Sequence, residues 1–545
     1  MRLVEFSVKN YKIFKNEFSI KFSEENMSIL TGRNNTGKST ILEALNHFYK
    51  KNIKANCIPL DCFSNKREII SMKAILRAEN GEEYEIQKKY EAEKAAKFLI
   101  GNQEAKKTGE DAELINNLLE NPPFYITPNM SPEDINKLIQ DIYTDVLKEK
   151  LETFDKGEVQ EGEEELLEKY RQVQKAVPSF LEEITGNVDN SLEYVSNVVS
   201  GDLQRLFSNQ QLSIQISGGE SQGFSPADII KSTSSKVTVK DQQATDNMPL
   251  ENQGTGLQRM SLIYLIQKLI SEKVIGSDNK LLLIDEPEAF LHPEAIRALS
   301  SSLYQIGGNM PLIISTHSPI LIDLSKEHSN LQVFRVSKDK AIDLFKSTRI
   351  RFEDDDIKNM KVMNYVDSHV SEFFFADNII IVEGDTEYLA FQHFAEVHDK
   401  NVHILRARGK DTICTLMKIL NQFNTSYAVL HDADNHQHYA SSQYQAQETK
   451  CKNIFDLSEG DNGIYIYCAN KTFEVAIGHE ELSSKNKTAF TFELIHNPTD
   501  ENKVYRKKTE NLFLNILDRE TNSEEFSGEF NMITCYEDIE KHFQN

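Results

Sequence analysis

Tryptophan is absent from the 545-residue chain, and no apolar run approaches the roughly 20 residues that a membrane-spanning helix needs. Cysteine is scarce. Cys57, Cys62, Cys414, Cys451, Cys468 and Cys535 are scattered without CxxC spacing. That pattern speaks against a zinc site or a disulfide framework and fits reduced thiols in a cytoplasm. The opening MRLVEFSVKNYKIF lacks the layout of a secretory leader and alternates like a strand. Positive charge is also short: 61 Lys and Arg face 85 Asp and Glu, a formal charge of -24. That balance argues against wholesale coating of nucleic acid, because phosphate neutralisation needs Lys and Arg. It does not exclude a local basic groove, so charge alone leaves the partner open.

What the chain does have is length, enough for two or three domains. Residues 1–90 read as short strands, with Asn80-Gly81 as a hairpin turn. From 91 to 205 the pattern becomes charged and helix-favouring, which predicts a helical insertion and a candidate dimerisation element. Its acidic run FDKGEVQEGEEELLEKYRQVQKAV reads as a solvated face rather than a cation site. Strand-like sequence returns after 206 and, with 1–90, predicts one α/β head over 1–90 and 206–340. Residues 341–376 read as a connector. From 377 to 545, strands such as NIIIVEG and SYAVLHDAD alternate with helix-length segments, the pattern of a Rossmann-like parallel sheet.

GRNNTGKST, Gly32 to Thr40, matches G-x4-G-K-[ST] between a strand and a helix, the setting a phosphate loop requires. Gly32 and Gly37, with Asn34 and Asn35 between them, let backbone N–H groups face phosphates at a helix N-terminus. Lys38 is expected to reach the β- and γ-phosphates, Ser39 to ligate Mg2+, and Thr40 to flank it. LLLIDEPEAFLHPEA, 281–295, supplies the partner strand. It predicts Asp285 at the Mg2+ shell and Glu286 polarising an attacking water. A further strand, PLIIST, delivers His317 towards a γ-phosphate. These features resemble the ABC/SMC-type ATPase heads, in which two heads sandwich ATP. That resemblance implies a signature loop acting on the partner's nucleotide, hence at least a dimer. NQGTGLQRM, with Gly254, Thr255 and Gly256, leads into a long apolar helix and is the preferred candidate. SGGE, Ser217 to Glu220, reads as a turn.

A second set of acids stands apart from this kit. Glu383 ends the strand NIIIVEG, and Glu387 follows one helical turn later. YAVLHDADN ends another apolar strand in Asp432 and Asp434, which in an extended segment point the same way. Two strand ends of one βαβ array, each bearing two acids, suit Mg2+ or Mn2+ better than zinc. Two such cations can activate water and stabilise the leaving oxygen in phosphodiester cleavage. His431, His436 and His438 beside this motif read as loop residues, and Asp385 as solvated or supporting.

SEFFFADNIIIVEGDTE, followed by ARGKDT and LHDAD, resembles the TOPRIM domain of the overcoming lysogenisation defect (OLD) family of nucleases. Those proteins join an ABC-type ATPase head to a C-terminal TOPRIM domain, in the order seen here. The resemblance implies a metal-dependent DNA endonuclease or nickase, with ATP and Mg2+ or Mn2+, and a role in prokaryotic anti-phage defence. It also implies a homodimer or larger assembly through the heads and insertion, and admits a defence-system partner protein or non-coding RNA or DNA. Carried over by residue, Glu383, Glu387, Asp432 and Asp434 match the metal acids. Thr472 and Glu474 of KTFEVAIG stand for a Ser-x-Glu element, and Lys508 is preferred over Lys503 and Lys507 as the lysine facing the scissile phosphate. The competing class is a DNA-sensing, RecF-like repair ATPase whose C-terminal domain only binds. A topoisomerase or primase is disfavoured, since no further domain presents a nucleophilic tyrosine or polymerising elements.

Overall fold

The computed structural model describes residues 2–543 apart from 25, 51–53, 56, 79, 102, 107, 121, 157–163, 166, 169–176, 207–211, 219–234, 242–247, 273–279, 324–330, 344–354, 357, 360–369, 377, 424, 437–438, 459–462, 497–498, 501 and 521–528. They divide into two compact units, the first over Met1–Leu321 and Glu327–Ala341, the second essentially from Ile342 to Asn545.

The first unit opens with β1 (Arg2–Lys9), β2 (Phe18–Lys21), β3 (Met27–Thr31) and helix α1 (Lys38–Tyr49). Then come β4 (Ile70–Arg77), β5 (Glu83–Tyr90), β6 (Lys97–Ile100), β7 (Gln103–Glu104), α2 (Glu110–Glu120), β8 (Phe124–Ile126), α3 (Pro132–Lys156) and α4 (Val177–Leu206). After β9 (Leu212–Gly218), β10 (Ser235–Asp241) and β11 (Met248–Pro249), α5 (Thr255–Ser271) leads to β12 (Leu282–Asp285). The unit closes with α6 (Pro293–Gly307), β13 (Leu312–Ser315), β14 (Leu331–Val336) and β15 (Ala341–Asp343).

Two six-stranded sheets organise it. One, β2-β1-β4-β5-β6-β7, is antiparallel throughout and includes the Asn80-Gly81 hairpin, where Gly81 has φ +85°. The other, β15-β14-β3-β13-β12-β8, pairs β3, β12 and β13 in parallel with their neighbours. Every residue of β3, β12 and β13 is buried, as expected of strands covered on both faces. Strand content inside 91–205 differs from a purely helical insertion. β6 and β7 extend the first sheet and β8 pairs with β12, because FYI is short, apolar and set between two helices. Ser217 and Gly218 end strand β9 rather than forming a turn, while Gly219 and Glu220 lie outside the described residues.

The second unit runs β16 (Ile379–Val382), α7 (Asp385–Val397), β17 (His403–Arg406), α8 (Lys410–Gln422), β18 (Tyr427–Asp432), α9 (Ser441–Asp456) and β19 (Ile464–Ala469). It ends with α10 (Phe473–Ala476), α11 (Ser484–His496), α12 (Asn502–Leu517), β20 (Phe530–Ile533) and α13 (Tyr536–Phe543). Strand order is β17-β16-β18-β19-β20, parallel except for β20. That last antiparallel strand, FNMI, is too short to stand out from its polar surroundings. From β16 the chain crosses outward to β17, and from β18 it crosses the other way to β19. The carboxyl ends of adjacent β16 and β18 therefore form the switch-point crevice where open α/β sheets bind ligands.

Candidate functional site

Buried β3 delivers the phosphate loop. Gly32 has φ +129°, and a Cβ there would lie 2.4 Å from the Val336 carbonyl oxygen. Gly37 has φ +102°, and a Cβ would meet the Phe14 ring at 2.4 Å. Both positions therefore require glycine. Asn34 and Asn35 are exposed on the loop, Asn35 with φ +61°. Lys38 is buried and donates to the carbonyls of Gly32 (2.9 Å) and Arg33 (2.8 Å). Burial pushes its ammonium down to about 8, against the pull of Glu286, Asp285 and Glu288.

At the end of β12, burial raises the Asp285 carboxyl, while hydrogen bonds from the Ser315 and Ser39 hydroxyls oppose the shift. Ser39 and Asp285, assigned to one Mg2+ shell from sequence, are thus brought together. Glu286 takes a left-handed φ of +44° and donates its N–H to the Ser315 carbonyl at 3.0 Å. Its carboxylate stands 3.9 Å from His317 Nε2. Burial and then Lys38 push His317 down to about 4, so its imidazole is neutral near pH 7.

Two residues here escaped the sequence reading. Half-buried Glu288 accepts from the Thr316 hydroxyl (2.8 Å) and the His317 N–H (2.7 Å), fixing the segment that carries His317. Arg259, from α5, donates to the carbonyls of Asp285 (2.9 Å), Glu286 and Ala289 (2.9 Å). It ties the helix that starts at Gly254, Thr255 and Gly256 to the end of β12. A Cβ at Gly256 would lie 3.2 Å from the Phe290 carbonyl oxygen, so the loop packs against the segment following Glu288.

In the second unit the acids meet at the switch point. Glu383 follows β16 directly, and its Oε2 accepts the backbone N–H of Asp432 at 3.0 Å. Gly384 starts α7, and a Cβ there would stand 2.8 Å from Glu387 Oε2. The carboxylate thus folds back towards its own helix start. Burial pushes Glu387 up to about 7, and nearby Glu383 and Glu474 add to the shift. Asp432 is held well above the usual carboxylate range, first by burial and then by Glu387, Glu383 and Asp434. Glu383 is raised as well, chiefly by burial, with Lys410 opposing.

Asp432 and Asp434 do not share one extended segment: β18 ends at Asp432, and Asp434 has φ +52°. The turn aims Asp434 at Lys410, which donates to its Oδ2 and stands 3.6 Å from Glu383 Oε1. Thr472 stands at the N-cap position of α10 without a side-chain capping bond, and buried Glu474 in the first turn lies 2.9 Å from Lys487 Nζ. Lys487 and Lys410 were not singled out from sequence, since partners so distant in the chain leave no local spacing signal. Lys508 is half-buried against Gly478, just past α10, where a Cβ would meet its Nζ at 2.9 Å. Asp385 faces solvent and pairs with Arg406 at 2.6 Å. His431 is buried against Cys451, whereas His436 pairs with Glu481 at 2.8 Å through Nδ1 and holds its Nε2 3.7 Å from Asp434 Oδ1, at the edge of the acids. His438 lies outside the described residues.

Among the described residues, no group of three or more His, Cys, Asp or Glu side chains is arranged as a ready-made metal cage. Lys410 and Lys487 hold several of the acids instead. Yet Glu387 Oε2, Asp432 Oδ1 and Glu474 Oε1 are buried without a hydrogen-bond partner. Buried carboxylate oxygens without partners call for a cation. The all-oxygen donor set of Glu387, Asp432, Glu474, Glu383 and Asp434 fits Mg2+ or Mn2+.

A family model described as AAA ATPase domain matches residues 1–131 and 127–322. One described as Overcoming lysogenization defect protein-like, TOPRIM domain, matches residues 374–434. The chain is 26% identical to the Old nuclease of Escherichia phage P2 over 310 residues, 51% of each protein. It is 25% identical to the OLD nuclease of Thermus scotoductus over 199 residues, 34% of this chain and 36% of that one. Endonuclease GajA of Bacillus cereus is 27% identical over 233 residues, 37% of this chain and 32% of its own. The chain thus spans about half, or less, of the length of the curated relatives it matches. Among solved structures, the Smc head domain of Pyrococcus furiosus bound to the C-terminal domain of ScpA aligns with TM-score 0.42 and 16% identity. That alignment covers 67% of this chain and 99% of that one.

Proposed function

The chain belongs to the AAA ATPase domain family and carries an OLD-like TOPRIM domain, and from that premise we propose that it is an ATP-regulated, divalent-metal-dependent DNA nuclease. The observation that carries the reading is the convergence of Glu383, Glu387, Asp432, Asp434 and Glu474 at a switch point of their own, on a sheet separate from the phosphate loop. A divalent cation bound there supplies Lewis acidity for water activation and for the charge on a scissile phosphate. The protein's own groups orient and balance. Glu383 fixes the Asp432 backbone, and Lys487 holds Glu474. Lys508 brings positive charge to the α10 side, where a phosphate diester would be attracted.

In the head, the loop N–H groups and Lys38 bind the ATP phosphates, and Ser39 and Asp285 hold the accompanying Mg2+. Glu286 orients the attacking water and His317 contacts the γ-phosphate, with Glu288 holding its backbone. Gly254, Thr255 and Gly256 act on the nucleotide of a second copy, so the working unit is at least a homodimer. Anti-phage defence is the role that the resemblance to the OLD family implies. The test is nicking of supercoiled plasmid in Mg2+, Mn2+ or chelator, by wild type and Glu383→Ala. Nicking by wild type only, and only with metal, is expected. Equal nicking by both proteins in chelator rejects the reading. Absence of nicking alongside DNA-stimulated ATP hydrolysis favours a DNA-sensing ATPase with a binding-only second domain.

A further inference from the structure

Lys410 is the first residue of α8, following Gly409 (φ +126°), and its side chain is only 2% exposed. Both circumstances disfavour a cation: burial strips its hydration, and a helix N-terminus carries positive partial charge. The position is tolerable because its ammonium donates to Asp434 Oδ2, stands 3.6 Å from Glu383 Oε1 and bonds Gln447 Oε1 at 3.3 Å. Within this centre, among the described residues, the carboxylates with buried oxygens that lack a hydrogen-bond partner are those of Glu387, Asp432 and Glu474. Unlike Glu383 and Asp434, none of these three is within salt-bridge distance of Lys410.

We propose that Lys410 is a positioning residue that serves as an internal counter-ion, so that the first divalent cation enters on the Glu387–Asp432–Glu474 side and the Glu383–Asp434 side is closed to a second one. The centre is thereby divided. One half has its negative charge met by Lys410; on the other, Lys487 meets Glu474 Oε2 at 2.9 Å and leaves Glu387 Oε2, Asp432 Oδ1 and Glu474 Oε1 open. The division rests on reading these acids as a metal centre. It adds that a lysine, rather than the number of carboxylates, sets how many cations bind before substrate arrives. A purely structural ion pair gives a different expectation, since its loss lowers stability and leaves cation binding unchanged.

Manganese alone is the probe, titrated into nucleotide-free full-length protein and counted by electron paramagnetic resonance. Wild type is expected to bind one Mn2+ per chain that Glu387→Gln removes. Lys410→Met, which opens Glu383 and Asp434, is expected to bind one more, and Lys410→Arg to match wild type. Lys410→Met is also expected to melt below wild type in chelator and to recover in Mn2+. An unchanged count in Lys410→Met, or a protein that stays unfolded in saturating Mn2+, overturns the role of Lys410 and leaves the metal centre standing. Wild type with no Mn2+ sensitive to Glu387→Gln overturns both.

Discussion

Replacing Glu387 by Gln should stabilise the metal-free protein at high pH and leave it unchanged in acid. The carboxyl is buried, and its folded-state value is raised from 4.5 to about 7. Between those values the folded state keeps a proton that the unfolded chain has released. Stability therefore falls as pH rises from 4.5 to about 7 and stays low above that. A gap of roughly 2.5 units corresponds to about 3 kcal/mol. For a unit of this size that is a shift of about 6–12 °C in the melting transition. Gln keeps the shape and removes the charge, so the variant should melt higher than wild type at pH 8 in chelator, and at the same temperature near pH 4.5. Saturating Mn2+ should close or reverse the gap, since the cation replaces the missing counter-charge for wild type only. Calorimetry of both proteins across this pH range, with and without Mn2+, reads the effect. A melting difference that does not change between pH 4.5 and 8 would refute the buried-carboxylate argument.

Loss of the Lys38 ammonium removes a charged hydrogen-bond donor to phosphate. Lys38→Ala should weaken ATP binding by about 10- to 100-fold in calorimetry, and unchanged affinity speaks against the phosphate-loop assignment. Glu286→Gln should keep ATP affinity near wild type while hydrolysis falls by about 100-fold or more, whereas equal turnover would shift the water-orienting role to another group. Lys487→Ala leaves Glu474 buried without its counter-ion and should destabilise the second unit by about 3 kcal/mol, read as a lower melting transition in chelator. No change in melting would mean that Lys487 contributes nothing as its counter-ion.

Much of this molecule is legible in the chain because its chemistry sits at strand ends with local spacing. The phosphate loop, Asp285 after four apolar residues, and the acids after NIIIV and YAVLH are each announced by a buried run stopping abruptly in polar residues. What the sequence hides depends on contacts far apart in the chain. Lys410 meets Asp434 across 24 positions, Arg259 meets Asp285 across 26, and neither spacing has a period that helices or strands impose. Asp434 also shows the limit of pattern reading. Alternation places it beside Asp432, but a left-handed turn re-aims it at a lysine. Strands β6, β7 and β8 were hidden for a similar reason, being two to four residues long within charged, helix-favouring sequence.

The most direct measurement of the central claim separates the two centres in one protein. Asp432→Asn should bind ATP with wild-type affinity and show no metal-dependent nicking of supercoiled plasmid, because its carboxylate belongs to the switch-point crevice and not to the phosphate loop. Wild-type nicking by Asp432→Asn in Mn2+ contradicts the claim that this crevice is the nuclease centre.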